Sequence, residues 1–232
     1  MAKDAQKLII EFNGLPGCGK STTANELLKQ IGEDKASFPY DRHIKKFYQL
    51  LKSLVDGTIP FVIYCILILR NFKSSSIAEK KYFIMVAYGH YQLYLHFINH
   101  SNKKYLIVDQ GLVQDIISFA FQDKIISEKY VRKLIRFCIN KFGESLLIVN
   151  CDVDVETSSQ RISLRGKMDG SRLDKIYKES PNKAKETLSV QNYNFNVVRN
   201  NIKKYYKSAS YNISCIDDVN KNVMDLLSIT DN

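Results

Sequence analysis

The sequence lacks the features that mark several protein classes. Its five cysteines are scattered and include no Cys-x-x-Cys pair; they are Cys18, Cys65, Cys138, Cys151 and Cys215. This scatter favours reduced thiols over a disulfide framework. The sequence also contains no internal repeat and no low-complexity segment, so it does not indicate a repeat architecture.

Long apolar runs are missing as well. The most apolar stretch, Ile59 to Leu69, falls far short of the ~20 residues that a membrane-spanning helix needs. We interpret it as a buried helix, with a membrane-surface location as the lesser alternative. Residues 1–7 are polar and unlike a secretory signal. These absences predict a cytoplasmic protein without a membrane span.

Composition indicates a globular domain. The chain has 232 residues, of which 45% are hydrophobic and 25% charged. We expect residues 1–232 to form one domain. The net charge of +10 favours anionic partners such as nucleotides, phosphorylated substrates or nucleic acid. A basic surface that only aids solubility is an equally good explanation.

Short apolar runs alternate with helical patterns along the chain. The runs that resemble buried strands are 8–13, 36–38, 105–109, 145–150 and 210–215. Such alternation predicts a three-layer α/β fold, in which helices cover both faces of a five-stranded parallel sheet. Residues 40–100 are mostly helical in pattern.

One motif carries the chemistry. Residues 14–21, GLPGCGKS, fit GxxxxGK[ST] directly after a strand and at the start of a helix. Such a loop surrounds phosphate with backbone N–H groups, its lysine reaches the β- and γ-phosphates, and its serine ligates Mg²⁺. The residues expected to bind ATP are Gly14, Leu15, Pro16, Gly17, Cys18, Gly19, Lys20, Ser21 and Thr22.

A second metal ligand is expected at the end of the third strand. Asp109 closes the run YLIVD, and a carboxylate in this position holds Mg²⁺ or its water in P-loop sites. With Ser21 it forms the predicted metal site. The alternative is that Asp109 caps the helix that begins near Leu112.

Basic residues predict a lid. Arg161 and Arg165 are four residues apart on one helix face and lead into residues 166–182, a polar stretch that includes Arg172. A cationic lid over about 161–182 would exclude water and offset charge during phosphoryl transfer. A solvated basic face explains the same spacing equally well.

Taken together, these residues resemble the thymidylate kinase and deoxynucleoside kinase group of P-loop kinases. The resemblance rests on five segments in order: NGLPGCGKST, SFPYDRHIKKFYQLL, IVDQG, CDVDVETSSQRISLRGK and YNISCIDDVNKNVMDLL. It implies the P-loop NTPase fold with strand order 2-3-1-4-5 and a helical lid. It further implies that Arg161 and Arg165 contact ATP or the moving phosphate, and that residues 216–219 lie beside adenine.

The chain departs from the group on the side that binds the phosphoryl acceptor, where the resemblance places the helices of about residues 40–100. Gln110 follows Asp109 where the group commonly has arginine, and His90 stands where thymidylate kinases carry an arginine two residues before a base-binding glutamine, here Gln92. These substitutions weaken the expectation of thymidine monophosphate specifically. Arg42 is a candidate replacement cation. It is equally well explained as a surface arginine.

The leading hypothesis is transfer of the γ-phosphoryl of ATP to a nucleoside monophosphate or similar acceptor. A nucleoside or other hydroxyl acceptor is the alternative, and it requires a base. Asp41 is the candidate base, although it also suits a helix N-cap. A third hypothesis is a regulatory module that binds ATP without catalysis. Nucleic-acid binding is not favoured, and a homodimer is allowed.

Overall fold

Five parallel strands form one sheet in a computed structural model of the chain. The structure describes residues 6–38, 77–118, 127–165, 172–206, 210–215 and 218–230, with only the backbone at 77–80, Arg165 and Arg172. The strands are β1 (Leu8–Gly14), β2 (Ala36–Ser37), β3 (Tyr105–Val108), β4 (Leu146–Asp152) and β5 (Ser210–Ser214). Their order is β2-β3-β1-β4-β5 and every pairing is parallel, so the predicted topology is confirmed.

Eight α-helices accompany the sheet within the described residues. They are α1 (Lys20–Ile31), α2 (Ile77–His100), α3 (Leu112–Ser118), α4 (Glu128–Phe142), α5 (Val155–Arg165), α6 (Arg172–Glu179), α7 (Pro181–Tyr205) and α8 (Val219–Thr230). Local signals place their ends. The left-handed Gly19 precedes α1, and Ser180, whose Oγ accepts the N–H of Lys183, precedes Pro181 at the start of α7.

Both faces of the sheet are apolar, which explains why its strands read as continuous hydrophobic runs. Ile9 faces a core built from α2, α3, α4 and α7. The next residue, Ile10, faces a second core shared with α1 and α8. Successive side chains of a strand point to opposite faces, so a strand covered on both sides must be apolar throughout. The three-layer α/β prediction is thereby confirmed.

The polar stretch 166–182 is partly helical. Helix α6 lies within it, and Leu173 is fully buried against Ala184 and Leu188 of α7. The polar composition of the stretch did not predict this packing, because a single buried leucine in a short helix is a weak signal. Within the described residues, no helix combines the length and the apolar character needed to cross a membrane; the run at 59–69 lies outside them.

Candidate functional site

The GLPGCGKS loop joins β1 to α1 at the centre of the sheet, as the motif requires. The Nζ of Lys20 donates to the carbonyl oxygens of Gly14 and Leu15, at 2.8 Å each, so the ammonium group lies inside the loop. Lys20 is buried. Its Nζ also lies 3.6 Å from the Sγ of Cys18. A buried ammonium at the centre of a loop of backbone N–H groups favours an anion there.

Glycine is required at the start of this loop. Gly14 has a φ of 152°, and a Cβ there would lie 2.6 Å from the carbonyl oxygen of Cys151 and 2.8 Å from the Sγ of Cys18. Gly17, with a φ of 84°, adopts a left-handed conformation that other residues rarely take. The close approach of β4 and the turn of the loop therefore select glycine on steric grounds.

The two predicted metal ligands lie next to each other. The Oγ of Ser21 donates to Oδ2 of Asp109 at 2.6 Å, although the residues are 88 positions apart. Parallel pairing of β1 with β3 brings the ends of both strands to the same edge of the sheet. A hydroxyl and a carboxylate oxygen are hard ligands that suit Mg²⁺. Two first-turn amides of α3 that Asp109 could have capped, those of Val113 and Gln114, donate to Glu11.

A buried glutamate caps α3 instead. Oε1 of Glu11, in the middle of β1, accepts the backbone N–H groups of Val113 and Gln114 at 2.8 Å each. Its Oε2 accepts the hydroxyl of Tyr94 at 2.8 Å. Burial raises the pKa of Glu11 to about 7, even though these hydrogen bonds act to lower it. Glu11 therefore joins α2, α3 and the central strand.

His90 lies in the same region and is paired with a carboxylate. Its Nδ1 is 2.8 Å from Oδ2 of Asp115, which is buried in α3. Burial lowers the pKa of His90, but the charge and hydrogen bond of Asp115, with Glu11 and Asp109 adding to them, outweigh it and raise the pKa. The pair favours a protonated imidazole at this position.

Arg161 connects the phosphate-binding loop to the end of β5. Its NH1 donates to the carbonyl oxygen of Gly17 at 3.4 Å, and its NH2 donates to that of Cys215 at 3.0 Å. A cavity of about 410 Å³ opens beside it. The cavity is lined by Gly17, Cys18, Gly19, Thr22, Thr23, Arg161, Leu164, Cys215, Val219 and Asn222. Its position between the loop, α5 and α8 agrees with a place for a nucleotide base.

The remaining predicted residues are placed only in part. Thr22 and Gln110 are exposed, and Gln92 is half-buried on α2. Arg165 ends α5 and Arg172 begins α6, both described by their backbone alone. The candidate base Asp41 and the candidate cation Arg42 lie outside the described residues, as do all of residues 40–76 on the acceptor side and the lid residues 166–171.

Three tyrosines at helical spacing on α2, Tyr88, Tyr91 and Tyr94, could either stack on a base or pack in the core. Tyr91 and Tyr94 are buried, and both rings pack edge to face against Phe142. These two side chains therefore belong to the core. Tyr88 is partly buried against the same cluster.

A row of asparagines, missed in the sequence, crosses the carboxyl-terminal edge of the sheet. Asn13 of β1 is level with Asn150 of β4, which is level with Asn212 of β5. The Nδ2 of Asn150 donates to Oδ1 of Asn212 at 3.1 Å. Asn13 is fully buried, and its two amide atoms have no hydrogen-bond partner among the described residues. Buried polar atoms of this kind favour bound water or a polar ligand.

Solved structures similar to this chain exist, whereas no protein-family model matches it and no curated protein does so. The structure of deoxyadenosine kinase from M. mycoides with bound dATP is 17% identical, with a TM-score of 0.51 over 97% of this chain and 100% of that chain. The same kinase with the products dCMP and a flexible dCDP is 15% identical, and with bound dCTP 17% identical. Their TM-scores are 0.48 and 0.49, each over 95% of this chain and 97% of that chain. The likeness is one of fold: the chain shares the α/β fold of the first of these structures, with helices around a five-stranded parallel sheet.

Proposed function

We propose that this chain is an ATP-dependent kinase of the nucleoside kinase type, which transfers the γ-phosphoryl group of ATP to a nucleoside or a nucleoside 5′-monophosphate. The observation that carries the proposal is the hydrogen bond of 2.6 Å between Ser21 and Asp109, beside a loop whose lysine is buried. A phosphate loop, a cation and a pair of hard oxygen ligands together form the equipment that phosphoryl transfer requires.

Each residue has a role that follows from its position. The N–H groups of the loop and the first turn of α1 bind the phosphates, and Lys20 exchanges its bonds to carbonyl oxygens for bonds to the phosphates. Ser21 and Asp109 would hold Mg²⁺, which neutralises charge on the β- and γ-phosphates when it is bound. Arg161 donates near the loop and stabilises the charge that develops during transfer. Arg165 and Arg172 are proposed to join it from the lid.

The acceptor we favour is a nucleoside. An acceptor phosphate needs a cation whose charge is not already balanced. At the position where an arginine was expected, the charge of a protonated His90 is balanced by Asp115, whose Oδ2 is 2.8 Å from the Nδ1. Such a pair attracts an acceptor phosphate less than a free arginine would, whereas a neutral nucleoside needs no such cation. A hydroxyl acceptor must lose its proton, and Asp41 is the proposed base. Gln92, Gln110 and Arg42 are the other proposed acceptor contacts.

An ADP-release assay with Mg²⁺-ATP tests both parts of the proposal. The panel contains the four deoxynucleosides, the four ribonucleosides and their 5′-monophosphates. We expect ADP formation that depends on a nucleoside and a phosphorylated product that mass spectrometry identifies. ADP release with the monophosphates alone would contradict a nucleoside acceptor and favour a nucleoside monophosphate, the acceptor that the sequence first suggested.

Matched lysine variants show whether the loop performs the reaction. Lys20→Ala should lower kcat/KM by about 100- to 1,000-fold, the usual cost of losing a group that stabilises transition-state charge. Lys29→Ala is the control, because Lys29 lies on the same helix and its side chain is 71% exposed. Both variants should unfold at the temperature of the parent protein.

The same assay separates the rival functions. ATP binding without ADP release for any acceptor would contradict a kinase and favour a regulatory ATP-binding module. Strongly salt-dependent binding to DNA or RNA would favour the nucleic-acid interpretation of the positive charge. A cytoplasmic location and a homodimer stay predictions, and light scattering of the purified protein tests the latter.

A further inference from the structure

Three cysteines that are far apart in the sequence lie together beneath the phosphate-binding loop. Cys18 belongs to the loop, Cys151 to β4 and Cys215 to the turn after β5. Their Sγ atoms all lie within 4.8 Å of one another. Cys18 and Cys151 are fully buried, whereas Cys215 is half-buried. None of the three thiol groups has a role in the proposed kinase reaction.

The backbone around each thiol is anchored. Cys151 is level with Gly14 in the pairing of β1 with β4. The N–H of Cys215 donates to the carbonyl oxygen of Asp152 at 3.0 Å, and that of Cys18 donates to Leu15 at 3.2 Å. The three sulfurs therefore converge because the sheet and the loop position them, which makes the cluster preorganised.

The cluster has the dimensions of a metal site. Thiolates bind Zn²⁺ at about 2.3 Å, so three sulfurs around one ion stand about 4 Å apart. The observed limit of 4.8 Å is close to that spacing and needs only small side-chain rotations. Thiolate ligands select soft or borderline ions such as Cu⁺ and Zn²⁺ over Mg²⁺ and Ca²⁺. We propose that Cys18, Cys151 and Cys215 bind one thiophilic metal ion through three sulfur ligands.

The surroundings support a thiolate at Cys18. Hydrogen bonds from the thiols of Cys151 and Cys215 and the nearby charge of Lys20 outweigh burial and hold the pKa of Cys18 well below its usual range. The Nζ of Lys20 is 3.6 Å from the Sγ of Cys18. The other two thiols release their protons as the ion binds, so metal affinity increases with pH.

The metal site adjoins the proposed nucleotide cavity. Cys18 and Cys215 line the cavity of about 410 Å³ next to Gly17 and Arg161. Binding of Zn²⁺ replaces the protons of two thiols, so the cluster carries a net charge of −1 with and without the ion. The ion should therefore leave the charge beside the loop that binds ATP phosphates in the proposed function unchanged.

Cadmium is the probe, because Cd²⁺–thiolate bonds absorb in the ultraviolet. Titration of the reduced full-length protein without ATP should saturate at one Cd²⁺ per chain, and Zn²⁺ should displace the signal. Cys18→Ser and Cys215→Ser should each weaken Cd²⁺ binding by about 100-fold. Even residues that only hydrogen-bond to a metal-binding side chain contribute about 10- to 100-fold to metal affinity, and these cysteines would bind the ion directly. The controls are Cys65→Ser and Cys138→Ala, which should bind Cd²⁺ as the parent protein does.

Cys215→Ser keeps the test decisive, because a half-buried residue in a turn tolerates this change even where Cys18→Ser fails to fold. Unchanged Cd²⁺ affinity and stoichiometry in Cys215→Ser would overturn the proposal. The titration needs neither catalysis nor nucleotide, so its result stands apart from the kinase assay.

Discussion

The hydroxyl of Tyr94 donates to Oε2 of Glu11 at 2.8 Å, and this bond joins the long helix α2 to the central strand of the sheet. Both side chains are fully buried. The second oxygen of Glu11 holds the first turn of α3, which also carries Asp115, the partner of His90. One buried carboxyl group thus positions the two helices that flank the proposed acceptor side.

Glu11 should make the stability of the protein depend on pH. In the folded protein the Glu11 carboxyl group keeps its proton up to about pH 7, whereas in the unfolded chain it releases the proton near its ordinary pKa of 4.5. The folded state therefore binds more protons in this window, and stability falls as the pH rises through it. Glu11→Gln cannot titrate, yet its amide oxygen still accepts from Val113 and Gln114 and its NH₂ group can donate to Tyr94.

The measurement is urea unfolding of both proteins across this pH window. The stability of Glu11→Gln relative to the parent should increase by about 3 kcal/mol from the acidic to the basic end, since each pKa unit corresponds to about 1.4 kcal/mol. Glu128→Gln, an exposed substitution, is the control and should show no such trend. A difference that does not change with pH would contradict the shifted pKa of Glu11.

The pairing of His90 with Asp115 can be tested by NMR. Asp115→Asn removes the charge that raises the pKa of His90 and leaves the burial that lowers it, so that pKa should fall. A raised pKa means that the pair contributes stability at low pH, which is lost as the pH rises through the pKa of His90 in the folded protein. The imidazole nitrogen shifts report the titration. Asp225→Asn, on the exposed side of α8, should leave it unchanged.

The metal site predicts a specific effect of Asp109→Asn. The amide oxygen of asparagine can still accept from Ser21, so the fold should survive, but the missing charge weakens a magnesium site. We expect kcat/KM to fall by about 100-fold and half-maximal activity to require more Mg²⁺. Activity assays over a range of Mg²⁺ concentrations measure both effects. Unaltered Mg²⁺ dependence would remove Asp109 from the site, and Asp225→Asn again serves as the control.

The proposed role of Arg161 in phosphoryl transfer should depend on the shape of its guanidinium group as well as on its charge. Two of its nitrogens reach two carbonyl oxygens, those of Gly17 and Cys215, and a lysine ammonium is not shaped to bind both. We expect Arg161→Ala to lower kcat/KM on the order of 100-fold, and Arg161→Lys to recover only part of it. Steady-state kinetics over a range of ATP concentrations gives both values. Full activity in Arg161→Ala would exclude a role in transfer, and Arg132→Lys, at an exposed pair with Glu128, is the control.

Local sequence patterns predicted the fold because each strand, loop and helix is specified by residues that are close together in the chain. The run LIIEF, followed by GLPGCGKS and a helical pattern, specifies a strand, a phosphate loop and a helix from neighbouring residues alone. The acidic end of YLIVD predicted that Asp109 would meet Ser21, since parallel strands end at the same edge of a sheet. The polar stretch 166–182 was less informative, because the burial of Leu173 depends on α7.

The strand pattern, the phosphate loop and the identity of its lysine and serine were readable in the chain, because they depend on residues within a few positions of one another. The bonds from Glu11 to the first turn of α3, the partner of His90 and the meeting of Cys18 with Cys151 and Cys215 were decided by tertiary structure. Those contacts join residues that are between 25 and 197 positions apart, and they exist only once strand order and helix packing bring distant segments together.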